Sequence, residues 1–239
     1  MEDILFQCRN KVHCFECTNR ENSLFTDISD EHKVRINDAK VHCEYKKGEM
    51  IFKEGNLPTG LICLNRGKVK IIKEGIGGRE QIIRLARPIE LIGYRALFAG
   101  ERYNSSAVAL EDSTVCHIDK EVVLDVISQD PMLGLRIVKR LAIELGEAKT
   151  RIVNLTQKHI RGRLAEALLI LYNRFGTNPE DGTLDISLGR NDLADLSNMT
   201  ASNASRTLSQ FIDEKIIETQ GKKIRILNLE RLKWLSNYG

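Results

Sequence analysis

Six cysteines are the side chains of this 239-residue sequence best suited to metal or redox chemistry. Cys14 and Cys17 form a C-x-x-C pair, Cys8 precedes that pair in a C-x5-C-x2-C spacing, and Cys116 lies in the predicted strand STVCHID. Thiolates bind metals such as zinc, and accessible thiolates also oxidise. The group Cys8, Cys14, Cys17 and Cys116 therefore indicates a metal site or a thiol switch; with neither, Cys116 is an ordinary small core residue.

Two short helices are predicted near the C-terminal end of the chain. The first is amphipathic and extends over about Arg190–Leu196. The segment Asn198-Met199-Thr200 interrupts the pattern, and Thr200 is suited to cap a second helix from about Ala201 to Glu214. The residues that this second helix is predicted to bury are Ala204, Leu208, Phe211 and Ile212. The pattern predicts two packed helices joined by a tight turn.

The opposite face of the second helix has the composition of a DNA recognition surface. The residues predicted to face outward from its first turns are Ser202, Asn203, Ser205 and Arg206. An arginine guanidinium can chelate O6 and N7 of a guanine in the major groove, so Arg206 is predicted to read a base.

A predicted β-hairpin over Ile216–Leu227 completes this stretch and turns at Gln220-Gly221. It carries Lys222, Lys223 and Arg225, cations suited to a wing that contacts DNA phosphates. The two helices and the hairpin together predict a winged helix-turn-helix that binds double-stranded DNA.

The region from His42 to about Asp119 alternates short apolar strands with glycine turns. Such spacing is typical of an antiparallel barrel or roll rather than of a parallel sheet. Cys43 and Cys63 lie within predicted strands, and we interpret both as core residues. Short helices are predicted before the roll, over about Ile28–Ala39, and after it, over Lys120–Ser128.

A long helix is predicted from about Met132 to Lys158, and it carries a narrow apolar stripe. The stripe residues, spaced by alternating gaps of three and four, are Val138, Leu141, Leu145, Ala148, Ile152 and Leu155. This is the pattern of a coiled-coil seam, which indicates a two-fold homodimer; packing of the stripe on the roll of the same chain is the alternative. A two-fold dimer suits a near-palindromic DNA site.

Length and composition are those of a globular protein that can hold two modest domains. The predicted elements place an N-terminal domain with the cysteine segment and the roll over 1–130, a dimerisation helix over 131–159 and a DNA-binding domain over 160–239. The net charge is +3, and residues 160–239 contain 11 Lys and Arg against 10 Asp and Glu, so the DNA prediction depends on local geometry and not on bulk charge. No apolar run is long enough for a membrane span, and the N-terminus lacks the features of a signal peptide. We therefore expect a cytoplasmic protein without a membrane partner.

An enzymatic function is not supported by the sequence. We find no glycine-rich phosphate loop, no Ser/His/Asp or Cys/His set in a recognisable context, and no paired carboxylates on a helix face. The remaining Asp and Glu residues are interpreted as solvated surface.

The order of these elements resembles the Crp/Fnr family of bacterial transcription regulators, over nearly the whole chain. The segments that carry the resemblance are GEMIFKEGNLPTGLICLNRGKVKI, ELIGYRALFAGERYNSSAVALEDSTVCHID, RGRLAEALL and RNDLADLSNMTASNASRTLSQFIDEKIIETQGKKIRIL. The resemblance implies an α+β fold, in which a cyclic-nucleotide-binding-like antiparallel roll precedes the dimer helix and the winged helix-turn-helix. It also implies a homodimeric regulator that works with RNA polymerase.

The recognition motif of this family is matched in part. Ser205 and Arg206 match the family's serine and guanine-reading arginine, whereas Ser202 stands where many members have a base-contacting glutamate. A serine does not replace a carboxylate that accepts from a cytosine amino group, so the details of the half-site are not predictable.

The resemblance does not extend to the usual cyclic AMP site. Members that bind cyclic AMP use a Gly-Glu segment and an Arg-Ser pair, where this chain has Gly93-Tyr94-Arg95 and Tyr103-Asn104-Ser105-Ser106. Arg95 and Arg102 are out of register and are interpreted as solvated. We expect no cyclic AMP binding in the usual manner, while another small ligand in the same cavity remains open.

The cysteines resemble the Fnr branch, in which an N-terminal cysteine group and one cysteine of an STVC-like strand hold an oxygen-labile [4Fe–4S] cluster. This chain departs from that pattern because Ser23 stands at the position of the third cysteine, so Cys8 is the candidate to supply the missing thiolate. Zinc remains an alternative. Some relatives use haem, but His13, His42 and His117 stand in no identifiable haem-ligand motif.

Overall fold

A computed structural model describes residues 23–239, so that Cys8, Cys14 and Cys17 lie outside the described residues. The described chain forms two compact units. The first contains the residues up to Arg79 together with Ile83–Glu144, and the second contains Glu80–Ile82 and Leu145–Gly239. No helix in the described range is long and apolar enough to cross a membrane.

Eight strands of the N-terminal region form two four-stranded sheets, with strand orders β1-β8-β3-β6 and β2-β7-β4-β5. The strands are β1 Lys40–Tyr45, β2 Met50–Phe52, β3 Gly60–Arg66, β4 Val69–Glu74, β5 Glu80–Ala86, β6 Leu91–Ile92, β7 Ser106–Ala109 and β8 Ser113–Asp119. Partners such as β1 with β8, β3 with β8 and β4 with β7 run antiparallel. The predicted antiparallel roll is therefore confirmed.

The two faces of the sheet β1-β8-β3-β6 belong to different hydrophobic clusters. Leu64 and Val115 pack in the roll interior with Phe52 and Tyr103. Residues of the opposite parity, such as Leu61, pack outward against helices. Because successive residues of a strand point to opposite faces, both faces of this sheet are covered.

Four helices accompany the roll: α1 Asp30–Ala39, α2 Tyr94–Ala99, α3 Lys120–Gln129 and α4 Pro131–Gln157. Asp119 caps α3, where its carboxylate accepts the backbone N–H of Glu121 at 2.8 Å. Helix α2 was not expected from the sequence. It has six residues and lies between Gly93 and Gly100, both of which have positive φ.

Helix α4 buries its first turns and exposes most of its predicted seam. Leu133 and Ile137 are buried in the same hydrophobic cluster as Leu61, on the outside of the roll, and Leu141 packs against that cluster. By contrast Val138 is 59%, Leu145 57% and Ile152 62% exposed in the single chain. An apolar row of this kind along a regular helix is available to a second copy.

A buried ion network fixes the start of α4 to the roll. The Glu90 carboxylate, only 8% exposed, lies 3.2 Å from a guanidinium nitrogen of Arg84 and 3.2 Å from one of Arg140. Arg84 also reaches Glu144 at 3.0 Å. The expectation that the acidic residues are solvated surface is wrong for Glu90, which is buried. A buried carboxylate is stable only where cations or hydrogen-bond donors surround it, and the two arginines supply them.

In addition to residues 145–157 of α4, the second unit contains four helices and one hairpin: α5 Ile160–Phe175, α6 Arg190–Ser197, α7 Ala201–Asp213, β9 Ile217–Gln220, β10 Lys223–Ile226 and α8 Leu229–Tyr238. Its core brings together Leu168, Leu193, Leu208, Phe211 and Leu235, all at most 2% exposed. Helix α8 was not expected from the sequence, although Asn228 caps it by accepting the backbone N–H of Arg231 at 2.9 Å.

Candidate nucleic-acid interface and sensor site

Helix α7, the predicted recognition helix, begins at Ala201, as the sequence predicts. The hydroxyl of Thr200 accepts the backbone N–H of Asn203 at 3.2 Å, so Thr200 is the N-cap. The side chains that α7 buries are Ala204, Thr207, Leu208 and Phe211. Ile212 was predicted to be buried and is 36% exposed, because the stripe at spacings of three and four passes through Thr207 instead.

The four predicted base-reading residues lie on the outward side of α7. Ser202 and Arg206 are exposed, while Asn203 and Ser205 are half-buried. A guanidinium nitrogen of Arg206 donates to the side-chain oxygen of Asn203 at 2.9 Å, one helical turn back. This bond limits the rotamers of Arg206 and aims its guanidinium along the surface of the helix, so Asn203 positions the arginine.

The turn between α6 and α7 is held by three local features. Asn198 ends α6 in the left-handed region with φ of 51°. Its carbonyl accepts a hydrogen bond from Arg163 at 2.6 Å, and Met199 is buried at 6% exposure. A turn held from both sides keeps α7 at a fixed angle to α6, as a helix-turn-helix requires.

Arg161, which the sequence did not single out, holds the far end of α7 against α5. Its guanidinium lies 2.8 Å from Glu214 and 3.2 Å from Gln210. It also stacks over the ring of Phe211, 5.2 Å from the ring centroid. The sequence offers no signal for this contact, because the residues are about fifty positions apart.

The predicted wing cations on the hairpin β9–β10 differ in their contacts with the rest of the chain. Lys222 is exposed beside Gly221, whose φ is +62°. The ammonium of Lys223 lies 2.7 Å from the carboxylate of Asp181, a contact that raises the pKa of Lys223 and lowers that of Asp181. Arg225 donates to the backbone carbonyl of Asp181 at 2.8 Å and pairs with Glu218 at 3.0 Å. Lys222 is thus better placed for phosphate than Lys223.

A half-buried arginine, Arg151, connects α4 to the two helices α6 and α7 within the second unit. Arg151 donates to the carbonyl of Leu196, at the end of α6, at 3.0 Å, and to that of Ile82 at 2.7 Å. Burial lowers the pKa of Arg151 to about 10. Arg151 therefore joins the second half of α4 to the end of α6 by a direct hydrogen bond.

Cys116 is the one predicted metal ligand within residues 23–239. It lies on β8 and is half-buried, with the Nε2 atom of His42 at 3.2 Å and the side-chain amide of Asn65 at 3.9 Å from its sulfur. Burial, and to a smaller degree Lys40, lowers the pKa of His42. Across residues 23–239 no three His, Cys, Asp or Glu side chains are grouped to hold a metal.

The other cysteines and histidines fit structural positions. Cys43 is buried, as predicted, whereas Cys63 is only half-buried. His117 lies 3.0 Å from the hydroxyl of Thr59, and burial lowers the pKa of His117.

Side chains of the chain itself fill the part of the roll interior that faces the altered nucleotide motif. The rings of Phe52 and Tyr103 stack with centroids 4.0 Å apart, and burial raises the pKa of Tyr103 to about 12. The two off-register arginines have protein partners: Arg95 pairs with Glu101 at 2.9 Å, and Arg102 donates to the carbonyl of Gly55 at 2.8 Å. Neither arginine is oriented as an arm for a bound phosphate.

Comparisons with known proteins match both units. Residues 42–130 match the cyclic nucleotide-binding domain, and residues 162–235 match the Crp-like helix-turn-helix domain. The fumarate and nitrate reduction regulatory protein of Vibrio cholerae is 28% identical over 229 residues, which cover 94% of this chain and 90% of that protein. A CRP-like cAMP-activated global transcriptional regulator of Mycobacterium tuberculosis is 27% identical over 191 residues, covering 79% and 85%.

Among solved structures, FixK2 from Bradyrhizobium japonicum superposes with a TM-score of 0.74 at 25% identity, covering 82% of this chain and 96% of that one. The relatives are transcription regulators and not enzymes. A cyclic-nucleotide-binding-like roll, a long connecting helix and a Crp-like helix-turn-helix therefore occur here in the order that the sequence predicted. The chain belongs to the Crp/Fnr family of DNA-binding transcription regulators.

Proposed function

We propose that the protein is a homodimeric, cytoplasmic regulator that reads a near-palindromic DNA site and responds to a redox or gas signal. The observation that carries the DNA part is Arg206, held by Asn203 on the outward face of a capped helix. Arg206 reads guanine, and Ser202, Asn203 and Ser205 contact neighbouring bases or phosphates. Lys222 approaches the backbone, and Lys223 does so once a phosphate competes with Asp181.

Dimerisation uses the exposed seam of α4. Val138, Leu145 and Ile152 follow one another at seven-residue spacing and are each more than half exposed. Pairing of two such helices would remove these side chains from water and place two α7 helices about one turn of DNA apart. A dimer bound upstream of a gene would then act on RNA polymerase.

The signal enters at Cys116, in our proposal as one of four ligands of a [4Fe–4S] cluster with Cys8, Cys14 and Cys17. The described part of the site fits a thiolate ligand, because Cys116 is half-buried and its sulfur has His42 and Asn65 nitrogens nearby. When bound, such a cluster supplies an oxygen- and nitric-oxide-sensitive centre. Zinc on the same thiolates and haem are the alternatives, and the stacked rings inside the roll disfavour cyclic AMP.

The signal reaches DNA through α4. Cys63 lies directly opposite Cys116 in the sheet. It packs against the hydrophobic core between the roll and its helices, which contains Leu133 and Ile137 of α4. Farther along the same helix, Arg151 bonds the end of α6. A change at Cys116 thus biases the packing of α4, and with it the spacing of the two recognition helices.

The test is purification without oxygen, followed by an absorption spectrum, iron and sulfide assays, and selection from a random pool of duplex DNA at several salt concentrations. We expect a broad visible absorption, about four irons per chain, and one enriched near-palindrome. A colourless, iron-free dimer that still selects one site would remove the cluster and leave the DNA-reading function; a Soret band would indicate haem.

A further inference from the structure

Two thiols face each other across the strands β3 and β8. Cys63 and Cys116 are register partners in this antiparallel pair, so their side chains project from the same face of the sheet. Both are thiols, and both are half-buried on the outer face. Cys63 is not one of the proposed cluster ligands, which are Cys116 and the three N-terminal cysteines.

The spacing of such partners matches that of a disulfide. Residues directly opposite in an antiparallel pair have Cα atoms about 4.5–5.5 Å apart, within the range of about 4.4–6.8 Å that a disulfide spans. The Cβ atoms of facing residues stand slightly wider than a relaxed disulfide prefers. A bond here would form with a small adjustment of two strands and would be readily reduced.

We infer that Cys63 and Cys116 form a reversible cross-strand disulfide, which withholds Cys116 from metal ligation until the bond is reduced. The inference deepens the proposed function, because its regulatory consequence rests on Cys116 being a cluster ligand. The disulfide itself depends only on the register of β3 and β8.

The groups around the two sulfur atoms indicate which thiol attacks the oxidant first. Cys116 has the His42 ring nitrogen at 3.2 Å and Asn65 at 3.9 Å, whereas the thiol of Cys63 points toward the carbonyl of Ile89 at 3.7 Å. The ring nitrogen of His42 can accept the proton of Cys116 as a general base, and the amide N–H of Asn65 donates to the Cys116 sulfur. By contrast, the carbonyl of Ile89 only accepts from the Cys63 thiol. Cys116 is the attacking thiol and Cys63 the resolving thiol.

The oxidant is a low-molecular-weight disulfide. With a disulfide RSSR, the Cys116 sulfur bonds to one sulfur of the oxidant and expels RSH, which takes the Cys116 proton. Cys63 then attacks the Cys116 sulfur of the mixed disulfide and expels the second RSH, which takes the Cys63 proton. Two thiols are oxidised by two electrons in total, and one RSSR is reduced to two RSH.

The bond can be identified directly in the unaltered protein. Iron-free chain is treated with oxidised glutathione, alkylated, digested with trypsin and analysed by mass spectrometry. Cleavage after Lys53, Arg66, Arg102 and Lys120 separates the two cysteines onto peptides 54–66 and 103–120. We expect these peptides joined with the loss of two hydrogen atoms, and their separation by dithiothreitol. Glutathione retained on Cys116 without the joined peptide would overturn the inference.

Iron uptake then tests the consequence and separates it from the proposed cluster. Wild-type protein that holds the joined peptides should take up no iron and sulfide until dithiothreitol cleaves the bond. Cys63→Ser has no thiol to displace glutathione from Cys116, so after the same treatment it should retain glutathione on Cys116 and yield no joined peptides. Cys8→Ser is the matched control, since it should keep the joined peptides but lose iron. Equal iron uptake by oxidised and reduced wild type would refute the withholding of Cys116. Absence of iron uptake by the reduced protein would refute the cluster and the withholding, while the joined peptides would still establish the bond.

Discussion

The most direct perturbation of DNA reading is Arg206→Ala. The guanidinium is exposed and bonded to Asn203, so its removal leaves the core of the second unit intact. A bidentate arginine–guanine contact is worth about 1–3 kcal/mol of discrimination. In the proposed dimer this contact would occur in two half-sites, so we expect a loss of about 2–6 kcal/mol, or about 30-fold to about 10⁴-fold in preference for the selected site over random DNA.

The assay is competition between the selected duplex and random duplex, repeated across salt concentrations. Arg206→Ala should lose preference while its affinity for random DNA changes little, because non-specific affinity comes from phosphate contacts. Asn203→Ala should lose less of the preference for the selected duplex than Arg206→Ala does, because the arginine remains but is no longer held in one orientation. If Arg206→Ala retained the wild-type preference with an unchanged dimer mass, the base-reading role would be refuted.

Three further perturbations test other parts of the structure. Leu145→Glu places a carboxylate at a seam position that is 57% exposed in the single chain, so sedimentation should show folded monomers that bind DNA poorly. Asp181→Asn removes the partner of Lys223, and should increase affinity for random DNA and steepen its salt dependence. The lowered pKa values of His42 and His117 mean that the unfolded chain takes up protons first, so the unfolding free energy should fall as pH drops below about 6.5. A double variant of both histidines to glutamine should show a shallower decline over that range.

Each of these perturbations has a control and a contrary outcome. Thr150→Glu adds the same charge on an exposed position of α4 away from the seam, and should leave the dimer mass unchanged. Monomers from both variants would mean that charge on the helix, and not the seam, matters. Glu180→Gln removes an exposed carboxylate next to Asp181 and leaves the hydrogen bond between Lys223 and Asp181 in place. An equal gain in affinity would indicate a general charge effect. Parallel pH curves for wild type and the histidine variant would show that neither histidine contributes.

The sequence predicted those features that depend on neighbours along the chain. The cap at Thr200, the apolar stripe of α7 and the hairpin at Gly221 are local, and residue type and spacing suffice to predict them. Ile212 was predicted to be buried because it is apolar. The position of a residue on the helix decides its burial, and α7 buries the more polar Thr207 instead. Helix α2 spans fewer than two turns, which is too short for a periodic signal.

Contacts that join distant segments were not predictable in this way. Cys63 and Cys116 are 53 positions apart and become partners through strand register, which no spacing rule gives. The same holds for Lys223 with Asp181 and for Glu90 with Arg140, where charged side chains were expected to be solvated. Residue type indicated which atoms can react, whereas the fold determined which atoms meet.

The ion pair between Lys223 and Asp181 has a consequence for how the protein searches a genome. A chromosome offers roughly 10⁶–10⁹ competing non-specific positions, and each phosphate-binding cation lengthens the time spent on them. A wing lysine that is already neutralised by its own chain contributes little to that dwell time. At a true operator, where the proposed contact between Arg206 and guanine would fix the register, the same lysine would exchange its carboxylate for a phosphate. The wing would then release the protein quickly from wrong sequences and strengthen its hold at the right one.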